Sequence, residues 1–193
     1  LVFVRHLSMD DEDLGAFNLQ GGGGAVGGSF NVDGEFLWPA AMIIGKDGNL
    51  WLSDEGTHRV SVVTLDGKLI AQWGEFGTEP GQMNRPSGIA QDPDGHIYIV
   101  DTMNHRVQKF TTEGKFLSSF GQYGNDKDSF DMPWGIVIDD MGDIIISDWR
   151  NDRVKKYSAG GELMFSLGGT GNSDGELNRP AGVAVDKDGD IYV

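Results

Sequence analysis

Apolar residues in this chain fall in short runs, not at helical spacing. "HIYIV" and "DIIIS" are typical: β-branched or aromatic, five residues or so, and bounded by Gly, Asp or Pro. Such runs read as strands. In one stretch they come four in succession, "SGIAQD", "HIYIVD", "RVQKFT" and "KFLSSF". "PDG" separates the first two and "TEG" the last two, and both are tight hairpin signals in which Gly supplies positive φ. "TMNH" and "GQYGNDKDSFDMP" are longer links. The 30 glycines fit a chain of many turns. The pattern predicts an all-β protein.

The runs repeat. Pro39, Pro86, Pro133 and Pro180 are each 47 residues apart, and so are Gly48, Gly95, Gly142 and Gly189. Asp54, Asp101 and Asp148 keep this spacing, as do Arg59, Arg106 and Arg153. In this register His105 stands opposite His58 and Asp152, and Asn104 opposite Thr57 and Asn151. Within "IVDTMNHRVQKF", Asp101, Asn104, His105 and Arg106 look like a catalytic cluster. A residue type that returns in every copy more naturally does one structural job in each. We therefore read Asp54/Arg59, Asp101/Arg106 and Asp148/Arg153 as structural pairs tying second strand to third, with Arg's fork suited to a carboxylate.

Four strands per 47-residue copy is the arithmetic of a β-propeller blade. The expected units are 39–85, 86–132 and 133–179, each a blade, with 180–193 the first two strands of another. Residues 1–38 read as the third and fourth strands of a partial blade plus a Gly-rich loop. Together they form one propeller domain of about four blades.

"NRPSGIAQDPDGHIYIVDTMNHRVQKF", "MPWGIVIDDMGDIIISDWRNDRVKKY" and "NRPAGVAVDKDGDIYV" closely resemble the NHL-repeat β-propellers. The resemblance spans roughly residues 27 to 193. The first copy fits least: Thr57 replaces Asn, and Ala41 stands where the others have Gly. The resemblance implies six blades, so the chain is expected to be an incomplete stretch of a larger propeller. It also implies a non-catalytic module that binds a protein, peptide or small ligand through its top-face loops, in an extracellular or periplasmic setting. One alternative is a metal-dependent lyase of the peptidyl-hydroxyglycine amidating type, whose motif has "PHG" opening a blade. Here those segments are "PAA", "PSG", "PWG" and "PAG", so its histidines would lie in blades outside this chain. Zn or Ca would be expected only on that reading. Some NHL propellers bind RNA through a basic face.

The charge weighs against that last reading. Thirty acids against fifteen bases give −15, which repels nucleic acid and anionic lipid. There is no cysteine for a disulfide or thiolate chemistry. No apolar run approaches the roughly 20 residues of a membrane span.

If the first strand of each blade runs from top to bottom, "PDG" and "TEG" lie at the bottom. The second-to-third-strand loops then share the top with the segments before each Pro. Variable residues there are the candidates for ligand contact: Trp38, His58, Arg85, His105, Trp134, Trp149, Arg150 and Arg179, with Glu55, Ser87 and Met103 beside them. Aromatics and arginines around an opening suit a peptide, glycan or small ligand. "DDMGD" and "DKDGD" resemble calcium loops but lack the length and closing Glu, so they read as turns. Gly22, Gly24 and Gly27 have dinucleotide-loop spacing without the strand before and helix after that it needs. His58 and His105 occupy equivalent loops expected to face one axis, and two ligands alone do not make a zinc site.

Overall fold

A computed structural model describes residues 36–193. The reading of 1–38 as a partial blade, and the glycine series at 22–27, fall on residues 1–35 and so lie almost wholly outside the described part. The first sheet contains β1 (Pro39–Ile44), β2 (Leu50–Asp54), β3 (Arg59–Val63) and β4 (Leu69–Trp73). The second contains β5 (Pro86–Gln91), β6 (Ile97–Asp101), β7 (Arg106–Phe110) and β8 (Phe116–Phe120). The third contains β9 (Pro133–Ile138), β10 (Ile144–Asp148), β11 (Arg153–Tyr157) and β12 (Leu163–Gly168). Each is an antiparallel meander in chain order. A two-stranded sheet, β13 (Ala184–Val185) with β14 (Ile191–Tyr192), begins the next repeat. Two one-turn 3-10 segments, Thr102–Asn104 and Trp149–Asn151, follow β6 and β10. This is a β-propeller, blade after blade. No helix among the described residues is long and apolar enough to cross a membrane.

The core lies between blades. All five residues of β6 are buried, which explains why the sequence there is an unbroken apolar run and not an alternation. Side chains on a strand still alternate. Ile97 and Ile99 join Trp51, Val60 and Val62 of the first blade. Tyr98 and Val100 join Ile136, Ile144 and Ile146 of the third. Each such side chain withdrawn from water contributes about 1.5–3 kcal/mol, so every blade is stabilised by both neighbours.

Two further features close the seams. The links between blades form short parallel bridges, Phe76 with Met83, Tyr123 with Phe130 and Thr170 with Leu177, again 47 residues apart. Met83 and Phe130 are fully buried and plug the first and second inter-blade cores. Along the inner strands, glycine permits close backbone approach. A Cβ on Gly88 would lie 2.6 Å from the Trp134 carbonyl oxygen, and one on Gly135 would lie 2.3 Å from that of Ala181.

Gly88→Ala is expected to lower unfolding free energy by about 1–3 kcal/mol through overpacking against backbone that cannot step aside. Gly160→Ala, in an exposed hairpin turn, would bring the added carbon only to ordinary contact with the Ser158 hydroxyl at 3.6 Å and should be close to neutral. Equilibrium denaturation of both variants checks the contrast.

Candidate functional site

The repeated cluster is wiring. Asp101 ends β6 with its side chain fully buried. It accepts from the Asn84 N–H at 2.6 Å, Asn104 Nδ2 at 2.9 Å, Arg106 Nε at 2.8 Å and Gln108 Nε2 at 3.1 Å. The donors do not stop there. Arg106 also reaches the carbonyls of Glu79 and Gln82, and Asn104 that of Gly77. The link from the first blade is therefore tied to the second. Burial pushes the Asp101 carboxyl above its usual range, against the pull of the Asn84 N–H, Asn104 and Arg106.

The third blade repeats the knot. Asp148 accepts from the Asp131 N–H at 2.7 Å, Asn151 at 2.9 Å and Arg153 at 2.8 Å. Arg153 holds the carbonyls of Asn125, Asp126 and Ser129. The first blade departs from the expectation. Arg59 does not pair with Asp54 but is exposed and bonds Gln72. Four backbone N–H groups, of Leu37, Trp38, Gly56 and Thr57, already fill the Asp54 carboxylate. Thr57 lacks the amide that Asn104 and Asn151 offer at this position.

One participant escaped the sequence reading. Ser61, Gln108 and Lys155 are 47 residues apart, and all three are buried. Gln108 donates to Asp101 and to the Gln82 carbonyl. The Lys155 ammonium donates to the carbonyls of Asp126, Lys127 and Ser129 at 3.1, 2.9 and 2.6 Å, and lies 4.8 Å from the centroid of the Phe130 ring. Burial, aided by the Arg153 charge, lowers its pKa to about 8. A polar residue recurring inside an apolar strand was the available signal.

The candidate histidines serve the seams. His58, His105 and Asp152 are equivalent, and each has positive φ. So do Arg85, Met132 and Arg179, each just before a blade-opening Pro. His58 Nδ1 accepts from the Arg85 N–H at 3.0 Å, His105 Nδ1 from the Met132 N–H at 3.0 Å, and Asp152 from the Arg179 N–H at 2.7 Å. Each bond joins one blade's loop to the lead-in of the next. Each histidine thus works in its own seam, with its ring against Phe76 or Tyr123, and not at a common axis. Ser87 is also structural. It is buried, with its hydroxyl 2.6 Å from that of Thr102 and 2.8 Å from the Trp134 carbonyl oxygen.

The other candidates lie on the same face. Trp38 is 66% exposed, with the Arg85 guanidinium 5.9 Å from its ring centroid. Arg85 also pairs with the buried Glu55 at 2.9 Å. Trp134 and Trp149 are half-buried, with ring centroids 6.4 Å apart. Two exposed guanidiniums approach the Trp149 ring, Arg150 at 5.7 Å and Arg179 at 5.1 Å. Both distances are within cation–π range. The structure thus gathers four of the eight ligand-contact candidates at the third seam and sets Trp38 with Arg85 at the first.

The opposite face is acidic and partly neutralised. Asp92, Asp94 and His96 come close enough to share an ion, but Lys109 lies 3.0 Å from Asp92. In the next repeat Lys156 lies 3.0 Å from both Asp139 and Asp143. The "DDMGD" and "DKDGD" segments are hairpin turns closed by Asp139 and Asp186 on following backbone N–H groups.

The fold and these seams place the chain among the β-propellers, and comparison with known proteins narrows the class. The family model for the NHL repeat matches residues 83–110 and 130–157. Over 58 residues the chain is 36% identical to RING finger protein nhl-1 of Caenorhabditis elegans, a stretch covering 30% of this chain and 6% of that one. The NHL repeat is thus present in the second and third blades. Among solved structures it resembles a streptogramin B lyase (TM-score 0.64, 20% identity, 83% of this chain and 49% of that one). It also resembles virginiamycin B lyase from Staphylococcus aureus (TM-score 0.59, 17% identity, 80% and 47%). A third is the gluconolactonase XC5397 from Xanthomonas campestris (TM-score 0.54, 17% identity, 78% and 51%). The chain spans about half the length of these structures, and at such identities the likeness is one of fold.

Two expectations test the wiring. Arg106→Ala strands a buried carboxylate and should cost about 3–5 kcal/mol, whereas Arg59→Ala should stay within about 0.5 kcal/mol. Urea unfolding of the two variants decides it. The second concerns acid. Desolvation, then the Arg85 charge, lowers the His58 pKa below 6.5, against Asp54 and Asp101. The unfolded chain therefore binds more protons, and this seam's contribution, full above pH 6.5, is lost as pH falls toward the folded value. His58→Asp, the residue type at the third seam, should flatten the loss of stability between pH 7.5 and 5.5.

Proposed function

We propose that the chain is part of a six-bladed NHL propeller that binds a protein, peptide or small ligand through its top-face loops, without catalysis. The carrying observation is a division of labour. The residues repeated in the second and third blades, Asp101/Arg106 and Asp148/Arg153, spend their polar groups on the links. Trp134, Trp149 and Arg150 differ from their counterparts in the other blades, and with Arg179 they cluster at one place on the top face. Large amphipathic and guanidinium side chains on a rigid support are what binding hot spots use. His58 and His105 enter this reading as supports that hold Arg85 and Met132 in place. The solved structures named as lyases and a gluconolactonase are enzymes of similar fold, and the likeness to them is one of fold alone.

The test is selection of displayed random peptides on the full chain. Selected peptides should lose at least about tenfold in affinity on Trp149→Ala, with the melting temperature held, and should be indifferent to Asp94→Ala on the opposite face. Peptides that depend on Asp94 and ignore Trp149 would refute the top-face assignment.

A further inference from the structure

The three seams put different side chains into one geometry. At the first, Glu55 follows the second strand and Arg85 precedes the blade-opening Pro. At the second the equivalent pair is Thr102 and Met132, and at the third it is Trp149 and Arg179. Arg85 and Arg179 share more than a register. Both have positive φ, and both backbone N–H groups are held by the αL residue of the preceding blade. Their side chains leave backbones of similar conformation, yet only Arg85 forms an ion pair; the Asp152 carboxylate that accepts from the Arg179 N–H feels the Arg179 charge from beyond ion-pair distance. Arg85 takes Glu55, with Nε at 3.0 Å and a terminal nitrogen at 2.9 Å from the same oxygen. At the third seam the Glu55 position is Trp149. Arg179 lies over that ring, joined by Arg150, and neither guanidinium forms an ion pair with a described residue. Arg106 and Arg153, by contrast, are each paired to a carboxylate at 2.8 Å.

This arrangement is selective in a chain with twice as many acids as bases. Two like charges share one aromatic ring while carboxylates are plentiful elsewhere. Resting on the top-face reading above, we propose that the third seam binds a ligand carboxylate. It engages Arg179 as Glu55 engages Arg85, with Arg150 as second donor and the Trp149 and Trp134 rings flanking the apolar group that carries the acid. The ligand class is a compact acid beside a flat apolar group, such as an acidic residue next to an aromatic one in a peptide. A long polyanion fits less well, because the surrounding −15 charge repels each added phosphate while only two guanidiniums reward it.

The first probes are phenylacetate and its uncharged isostere phenylacetamide, titrated against the full chain by ligand-observed NMR and tryptophan fluorescence. Phenylacetate should bind at least about tenfold more tightly, as expected for a charge-assisted contact. Arg179→Met and Trp149→Glu each install a residue type that another seam already accommodates at that position, so the fold should tolerate them. Each should erase the preference for the acid, the second by supplying Arg179 with an internal partner. Equal binding of acid and amide, or an acid preference that survives Arg179→Met, overturns the proposal. So does a single-stranded oligonucleotide that binds more tightly than phenylacetate with a steep salt dependence. If selected peptides bind through Trp149 yet the acid preference is absent, the carboxylate assignment fails while the top-face reading stands.

Discussion

The buried carboxylate at the end of each second strand is the contact on which this architecture turns. A blade is a four-stranded sheet with both faces apolar, and it cannot exist unless another blade covers each face. Stacking requires that the link from the previous blade end in one place. Asp101 and Asp148 set that place by gathering the link's N–H and the side chains that hold its carbonyls. The charge is buried, so its partners cannot be given up cheaply, and the link stays where the carboxylate holds it.

Packing follows from that constraint. Once the link is held, Met83 and Phe130 drop into the inter-blade cores, and the inner strands come close enough to need glycine at 88 and 135. The αL residues then fasten each loop to the next lead-in. The result is a rigid upper surface whose repeated positions are occupied by structure. Positions outside the repeat are free to differ, and the difference is largest at the third seam, where two tryptophans and two arginines meet.

Much of this was legible in the chain. The 47-residue period located the blades, the strands and the residues doing equivalent work. The Asp101–Arg106 and Asp148–Arg153 pairs followed from repetition alone. The Asp54–Arg59 pair did not form, because backbone N–H groups reached that carboxylate first, and backbone donors leave no mark in a residue pattern. The structural use of the histidines was hidden for a related reason. Their identity suggested chemistry, but their use is as hydrogen-bond acceptors for an N–H one blade away. Ser87 and Lys155 show the same limit, since an isolated polar letter does not disclose which carbonyls surround it.

By itself the sequence determined the period, the all-β character and the alternation that sends Ile97 and Ile99 to one side of a strand and Tyr98 and Val100 to the other, because these are local consequences of strand geometry. Only the tertiary structure decided which groups meet across seams: Arg85 with Glu55 at thirty residues' separation, Arg179 with Trp149 also thirty apart, and Lys155 with the carbonyls of the preceding link. Those meetings depend on how one blade is rotated against the next. That rotation is set by the summed packing of two faces and a link, a property no single stretch of residues carries.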